Sequence, residues 1–220
     1  MIARDDEPPA PAPAPTTTPT TPAEAPKEEA KAAPAKTLSG ASWVSEFPTS
    51  KSIDDLEATF AANVKKFTAA LTAAGATYTI GATKRPPERG YLMHWAWQIA
   101  KGGKSAKDVP AKEGVNIEWW HGDDAKSKAA AQEMCDKYDI NDLEVAPSLT
   151  SRHFEGKAID MSVSWSGTLK IATADGKTQE ITSEPRDSTN ADLIAVGKGY
   201  SVIHYTDALK DKPHWSTDGR

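Results

Sequence analysis

The sequence has little of what several common classes of protein depend on. Its 220 residues contain one cysteine, Cys135, which excludes an intramolecular disulfide and a zinc site built from several thiolates. It has no run of about 18 apolar residues, the length that a membrane-spanning helix requires. Positive charge is not in excess, with 26 Lys and Arg against 31 Asp and Glu. We therefore expect no membrane span and no nucleic-acid partner, and we expect Cys135, in an alanine-rich helical pattern, to be buried and inert.

Large apolar residues are nearly missing from the first part of the chain. Nine of the 16 prolines lie before residue 40, among Ala, Thr, Glu and Lys. Because such a composition cannot bury a core, residues 1–40 are predicted to be a disordered tail rich in Pro, Ala and Thr. Residues 41–220 are long enough for one packed domain and short for two.

The pattern of apolar residues in this domain predicts four helices separated by short strands. The first helix covers residues 52–75, with Ser52 as its N-cap. Asp175 and Gly176 predict a hairpin with a type I′ turn, and residues 201–205 form the last predicted strand. A hairpin together with helices that are grouped apart from it favours the α+β fold class.

The segment "SRHFEGKAID", residues 151–160, places His153 and Asp160 seven positions apart. Two ligands of one metal ion must bring their donor atoms within roughly 3 to 4 Å of each other. A continuous helix would separate the two Cα atoms by about 10.5 Å, and a straight strand by about 23 Å. The two side chains can therefore share an ion only if the chain reverses between them, which Gly156 allows. Alternation along residues 157–165 directs Asp160 away from the core, but spacing alone leaves a loop histidine and a surface acid as an equal alternative.

A metal site of this kind needs a third ligand, and four further histidines are available. His94 is expected on a helix face, His121 in a capping or surface position, and His204 on either side of a strand. His214, in "DKPHW", differs because Asp211 stands three residues before it. An acid so close to a ligand can accept a proton from a water that the metal activates.

These segments resemble the motifs of the M15-type zinc peptidases. This group comprises the D-Ala-D-Ala carboxypeptidases, the VanX-like dipeptidases and the L-alanyl-D-glutamate endopeptidases. "SRHFEGKAID" fills every fixed position of their S-x-H-x-x-G-x-A-x-D signature, and "DKPHW" is similar to their second motif. "TKRPPER" resembles the stretch that supplies an arginine to the substrate. The resemblance covers roughly residues 80–217, with the motifs in the same order.

The resemblance implies a role for each residue of the two motifs. His153, Asp160 and His214 would bind one zinc ion, and Asp211 would be the general base. Many relatives have glutamate in place of Asp211, whereas aspartate is found in the endopeptidase branch, which favours that activity slightly.

Further residues near the motifs are also implicated by the resemblance. Arg85 would polarise the scissile carbonyl and stabilise the tetrahedral oxyanion. Lys84 and Arg89 are close enough in sequence to compete with Arg85 for this role. Ser151 and Arg152 are candidates for contacts with the substrate or with a metal ligand.

The fold implied by the resemblance is the hedgehog and D-Ala-D-Ala-peptidase type, a small antiparallel sheet packed with helices. The activity implied is that of a zinc metallopeptidase, a D,D-carboxypeptidase or L,D-endopeptidase, that hydrolyses an amide in the stem peptide of peptidoglycan. The alternative is a catalytically silent zinc-containing domain of the same fold that binds the cell wall or acts in signalling.

A cell-wall hydrolase acts outside the cytoplasm, in the periplasm or after secretion. The first residues, "MIARDDEPPAPAP", contain no apolar segment of the kind that a signal peptide has. We therefore expect another route out of the cytoplasm: release by a phage holin, injection by a contractile apparatus, or export of a larger precursor, as for an endolysin or a toxin effector. The expected partners are the stem peptide and a delivery apparatus or immunity protein, and we expect a monomer. No motif indicates which peptide bond is cleaved.

Overall fold

The computed structural model describes residues 35–220, so the predicted tail lies outside the described residues as far as residue 34. The last part of the predicted tail, residues 35–40, does take part in the fold. Thr37–Leu38 form a short strand, β1, that pairs in parallel with Ile117–Glu118, which becomes β3 in chain order. Backbone pairing therefore begins before residue 41, the expected start of the domain, because the peptide groups of β1 find partners on β3.

The described residues form four α-helices and eight strands. The helices are α1 (Ala58–Ala73), α2 (Pro87–Ala100), α3 (Asp124–Tyr138) and α4 (Ala191–Gly199). The remaining strands are β2 (Thr77–Ala82), β4 (Ala158–Ser164), β5 (Leu169–Ala172), β6 (Thr178–Ile181), β7 (Ile203–His204) and β8 (His214–Ser216). None of the helices within residues 35–220 combines the length and the apolar character needed to cross a membrane.

The main sheet has four strands in the order β2-β4-β8-β7, and all neighbours are antiparallel. Residues of α1, such as Phe67, pack on one face of this sheet against Met161 and Trp215. The alternation predicted for β4 is confirmed, because Ile159 and Met161 are fully buried in this core while Asp160 faces the other side. An antiparallel sheet packed with separate helices confirms the mixed α and β class expected from the sequence.

A second apolar cluster lies between α2 and α3. Leu92, Ala96 and Met134 are fully buried there, as is Cys135. Burial raises the pKa of the Cys135 thiol to about 11, so this thiol stays protonated at neutral pH, as the expectation of an inert cysteine requires. A cleft of about 980 Å³ separates this helical cluster from the main sheet.

The start of the first helix differs from the prediction. Ser52 does act as an N-cap, but of a short 3-10 turn over Ile53–Asp55. Leu56 then has extended backbone, with ψ of 163°, so the turn cannot continue into a longer helix. A second cap is needed, and Glu57 supplies it for α1.

The predicted type I′ turn is wrong. That turn needs positive φ at both central residues, whereas Gly176 has φ of 82° and Asp175 is not left-handed. The amide of Gly176 donates to the carbonyl of Thr173 at 3.0 Å, within a longer loop between Ala172 and Thr178. The left-handed region is costly for residues other than glycine, and in this longer loop Gly176 adopts it while Asp175 does not.

Residues 201–205 do not contain the last strand. Ile203–His204 form β7, and β8 follows ten residues later at His214–Ser216. All three residues of β8 are buried, so this strand lacks the alternation of apolar and polar residues by which a strand is recognised. The strand that periodicity cannot detect is the one that carries His214.

Candidate metal centre

Asp160 and His214 lie opposite each other on neighbouring antiparallel strands. The pairing of β4 with β8 places their Cα atoms in register. Residues directly opposite each other in an antiparallel pair project from the same face of the sheet. As a result, Asp160 Oδ1 and His214 Nδ1 are 3.2 Å apart.

His153 reaches the same point from the turn that precedes β4. Gly156 has φ of 68° and its amide donates to the carbonyl of His153 at 3.2 Å, so the chain reverses where the sequence predicted. The reversal brings His153 Nε2 to 3.2 Å from Asp160 Oδ1. One donor atom from each of His153, Asp160 and His214 lies within 4.8 Å of the others, and this group could hold a metal ion.

Each histidine of this group is oriented by a backbone carbonyl. His153 Nδ1 is 2.6 Å from the carbonyl oxygen of Thr83, and His214 Nε2 is 3.2 Å from that of Arg220. Because a carbonyl can only accept, these nitrogens carry the hydrogens. In the neutral tautomers the remaining nitrogens, His153 Nε2 and His214 Nδ1, therefore present lone pairs to Asp160.

The fit of a cation follows from this arrangement. Two imidazole lone pairs and a carboxylate are all electron donors, and they converge where a positive ion would satisfy all three. His153 and His214 are only 4% and 7% exposed, so water has little access to their lone pairs and cannot hydrogen-bond them fully in place of an ion. Among residues 35–220, the group of His153, Asp160 and His214 is the one with ligand geometry, whereas His94, His121 and His204 make hydrogen bonds elsewhere.

The charges of the group are coupled even without an ion. Burial raises the pKa of Asp160, but with a proton between the carboxylate and each facing nitrogen, the hydrogen bonds from His153 and His214 outweigh burial and hold that pKa well below its usual range. For His214, burial lowers the pKa, and the hydrogen bond and charge of Asp160 more than reverse this, so the net pKa is raised. The carboxylate is thus ionised at neutral pH and ready to act as a ligand.

Asp211 lies in the turn between β7 and β8, beside the group. Its Oδ2 is 3.9 Å from His214 Nδ1, and about half of its side chain is exposed. Burial of the other half raises the pKa of Asp211, the positive charge of His214 opposes this, and the charge of Asp160 adds to the increase. An acid that faces both solvent and this group is placed to take up a proton there.

The three cations near the second helix occupy different places. Arg85 and Arg89 line the cleft that also contains Asp160, whereas Lys84 lines a separate depression with Asp54. Arg89 Nη1 donates to the carbonyls of residues 44 and 47, and its guanidinium lies 4.7 Å above the ring of Tyr138. Arg85 has a buried Nε without a hydrogen-bond partner in the described chain.

Ser151 and Arg152 are both engaged within the protein. The Ser151 hydroxyl accepts a hydrogen bond of 3.2 Å from the amide of His153. Arg152 forms ion pairs with Asp218 and with Glu155 and does not line the cleft. Asp218 in turn belongs to the C-terminal segment whose last carbonyl orients His214. Ser151 thus stabilises the position of His153, and Arg152 stabilises the segment that orients His214.

Several contributors to the site were not predicted from the sequence. Thr83 and Arg220 act through their carbonyl groups, which every residue has. His204 donates from Nε2 to the carbonyl of Lys212 at 2.8 Å and so stabilises the turn that holds Asp211. Trp215 donates from Nε1 to the carbonyl of Met161 at 3.0 Å and fixes β8 in the core. The Trp after His214 in "DKPHW" was the one visible hint of this anchor.

No protein-family model, curated protein or solved structure matches this chain. The interpretation of the site consequently depends on the chemistry of its own residues.

Proposed function

We propose that this protein is a zinc-dependent peptidase that hydrolyses an amide bond in the stem peptide of peptidoglycan, outside the cytoplasm. Two observations of different kinds support the proposal. The motifs "SRHFEGKAID" and "DKPHW" resemble those of M15-type peptidases, and the residues that the resemblance implicates are close together in the fold. The hedgehog and D-Ala-D-Ala-peptidase type of fold is part of the same proposal.

The donor set favours zinc among the biological metals. Two imidazole nitrogens and one carboxylate oxygen are typical of catalytic zinc sites, which have three protein ligands and one open position. Magnesium and calcium prefer sites made of oxygen alone, and the described group lacks the thiolates of most structural zinc sites. When bound, a zinc ion supplies Lewis acidity, which polarises a carbonyl and makes water a stronger acid.

Other residues of the chain perform the proton transfer and stabilise the developing negative charge. Asp211 accepts a proton from the attacking water and returns it to the leaving amine, a role for which its position beside His214 suits it. Arg85 donates hydrogen bonds to the carbonyl oxygen as negative charge develops there. The cleft holds the extended peptide between the main sheet and the helical cluster, with Asp160 exposed to it.

One observation carries the proposal more than any other. The donor atoms of His153, Asp160 and His214 converge within 4.8 Å, and an acid that does not belong to the group lies 3.9 Å from one of them. A purely structural metal site has no need of that acid.

The test is hydrolysis of purified cell-wall sacculi by the full chain, with muropeptides identified by mass spectrometry. The chain is first stripped of metal and then reloaded with zinc, and we expect about one zinc ion per chain. Asp211→Asn should keep its zinc and lose at least about 100-fold in rate, the usual contribution of a general base. Asp142→Asn, an exposed aspartate outside the cleft, is the matched control and should retain full activity.

Two results would overturn the proposal in different ways. A chain that binds no zinc has no metal centre. A chain that binds zinc and hydrolyses no sacculi is the catalytically silent domain considered as the alternative.

A further inference from the structure

A closed hook, residues 216–220, folds back over His214. The buried hydroxyl of Ser216 accepts hydrogen bonds from the amides of Gly219 at 2.8 Å and Arg220 at 3.1 Å. Gly219 has φ of 75°, the left-handed conformation that allows the chain to reverse within so few residues. The reversal places the backbone oxygen of Arg220 3.2 Å from His214 Nε2. The hook therefore holds the imidazole of His214 by one of its two nitrogens.

A side-chain contact joins the hook to the turn that carries His153. Arg152 directly precedes this histidine, and its Nε and Nη2 both donate to Asp218 Oδ2, with a distance of 3.1 Å from Nε. The carbonyl of Arg152 accepts a hydrogen bond of 2.8 Å from the amide of Lys157, so the arginine is part of the closed turn before β4. Hydrogen bonds between ionised partners are roughly twice as strong as those between neutral groups. Asp218 therefore ties the hook to this turn.

The same carboxylate also holds the far end of the hook. Asp218 Oδ1 accepts from the amide of Arg220 at 3.2 Å, and Oδ2 accepts from the Nε and Nη2 of that arginine at 3.2 and 3.0 Å. Hydrogen bonds from Arg152, and then from Arg220, hold the pKa of Asp218 well below its usual range. Asp218 is thus ionised at neutral pH. It contacts both the residue before His153 and the residue that orients His214.

A neighbouring carboxylate, Glu155, shares one of these contacts and lacks the other. Its two oxygens accept from Arg152 Nη1 at 3.1 and 3.3 Å, and its other partner is Lys157 at 2.8 Å. Within the part of the chain that the structure describes, the contacts of Glu155 therefore stay inside the segment 152–157. The connection between the two histidines depends on Asp218 and not on negative charge beside Arg152 as such.

We infer that Asp218 is a positioning residue of the metal centre, which keeps the two ligand histidines in a fixed geometry relative to each other. It acts on His153 through the side chain of Arg152. It acts on His214 through the backbone of Arg220. Asp218 does not line the cleft, so its effect reaches the metal only through these ligands. The inference rests on the metal centre of the proposed function and adds a residue that lies outside both motifs.

The test measures the zinc affinity of the full chain and needs no substrate. Zinc is removed with a chelator and added back in competition with a chelating dye. Asp218→Asn removes the negative charge and keeps the size of the side chain, and we expect zinc affinity to fall about tenfold, as is typical when a partner of a metal ligand is lost. The matched control is Asp175→Asn. Asp175 also has a pKa held below its usual range, by Lys177 in the loop between β5 and β6, and its replacement should leave zinc affinity unchanged.

Two further measurements separate positioning from a loss of stability. Arg152→Met releases only the side of His153, so its loss of zinc affinity should be smaller than that of Asp218→Asn. The double variant should lose about as much as Asp218→Asn alone, because Arg152 acts through the same carboxylate. Cobalt(II) bound in place of zinc has a visible absorption spectrum that depends on ligand geometry. This spectrum should change in Asp218→Asn and stay the same in Asp175→Asn, even where both variants have equally lowered melting temperatures.

The outcomes separate this inference from the proposed function. Zinc affinity in Asp218→Asn equal to that of the wild type overturns the inference, whatever happens to stability. Equal losses in Asp218→Asn and Asp175→Asn also overturn it, since the effect then comes from a general loosening of the fold. Equal losses in Asp218→Asn and Arg152→Met overturn the action on His214. If the wild-type chain binds zinc through a site that Asp218→Asn weakens, yet hydrolyses no sacculi, the positioning role stands and the peptidase proposal fails.

Discussion

The side chain of Asp160 meets both histidines through one oxygen atom, at 3.2 Å from each. This geometry depends on charge as well as on shape. The opposite nitrogens of His153 and His214 are occupied by backbone carbonyls, so the nitrogens that face Asp160 need a proton or a metal ion between them and the carboxylate. A negative charge at position 160 would therefore favour a cation among the three side chains.

Asp160→Asn should abolish tight metal binding with little change in shape. The amide has no charge, and its NH₂ group can donate to the histidine lone pairs that a metal would otherwise use. We expect zinc affinity to fall by at least about 100-fold, measured by competition with a chelating dye. Asp142→Asn should leave the affinity unchanged, and an Asp160→Asn chain that binds zinc as the wild type does would contradict the proposed ligand set.

Asp218 is expected to make stability depend on pH in the acid range. Hydrogen bonds from Arg152, and then from Arg220, hold the pKa of Asp218 well below its usual range. A carboxylate with a lowered pKa stabilises the fold above its unfolded pKa of about 3.9, and this contribution is lost as the pH falls through the folded pKa. The contribution is about 1 kcal/mol, because the ion pair is near the surface.

The check is urea unfolding of metal-free wild type and Asp218→Asn at several pH values. The wild type should be more stable by about 1 kcal/mol at pH 7, and the difference should shrink steadily as the pH falls below about 5. A difference that stays constant down to pH 3 would show that Asp218 acts through something other than its charge.

At the scale of structural elements, the site depends most on the turn of residues 152–156. It must bring His153 back over Asp160 and also pack against the segment before α1. A Cβ on Gly156 would lie 3.0 Å from the amide nitrogen of Glu57, which itself donates to the carbonyl of Gly156 at 2.9 Å. The turn is thus constrained by its own backbone and by its neighbour.

Gly156→Ala should destabilise the protein for both reasons. The left-handed conformation alone costs an alanine about 1 kcal/mol, and the contact with Glu57 adds about 1 to 2 kcal/mol of packing strain. Gly167→Ala is a matched control, since Gly167 has φ of 66° and nothing within 4 Å of an added Cβ. Urea unfolding should give the larger loss for Gly156→Ala, together with weaker zinc binding. Equal losses would mean that the contact with Glu57 does not constrain the turn.

At the scale of the whole molecule, the site lies where two separately packed clusters meet at a cleft. The group of His153, Asp160 and His214 stands at the sheet, and the far wall of the cleft comes from α2, α3 and the segment before α1. Because both clusters have apolar cores of their own, the fold does not depend on a metal ion to bury its apolar surface. This separation leads to two predictions.

Removal of zinc should lower the melting temperature without unfolding the protein at room temperature. At a zinc concentration about 1,000 times Kd, binding stabilises the folded state by about 4 kcal/mol, which corresponds to roughly 10 °C for a domain of this size. Thermal unfolding with and without a chelator, followed by circular dichroism, measures the difference. Complete unfolding on chelation would instead indicate a structural metal and favour the catalytically silent alternative.

Residues 35–40 should contribute to stability although the sequence places them in the tail. Besides the pairing of β1 with β3, Trp43 Nε1 donates to the carbonyl of Leu38 at 3.0 Å, and Ser39 is hydrogen-bonded to His121 at 2.9 Å. A chain that starts at residue 41 should therefore be less stable than one that starts at residue 35, by about 1 to 3 kcal/mol. Identical melting temperatures for the two chains would place the start of the domain at residue 41 after all.

Much of this architecture could be predicted from local sequence. The alternation of β4 indicated that Ile159 and Met161 are buried and that Asp160 faces away from the core, because side chains alternate with a period of two along any strand. Gly156 indicated the reversal, because the left-handed region is costly for other residues. The pair of motifs indicated which two histidines, of five, would approach Asp160.

The remaining features depend on contacts between distant parts of the chain. The register of β4 with β8 joins residues 54 positions apart, and the three buried residues of β8 show no periodicity. The carbonyls of Thr83 and Arg220 orient the histidines, although no residue type marks a carbonyl in the sequence. The sequence by itself therefore determined which side chains can bind a metal. The tertiary structure decided which nitrogen of each histidine faces the ion and which cations line the cleft, because both depend on backbone groups and walls that only packing brings together.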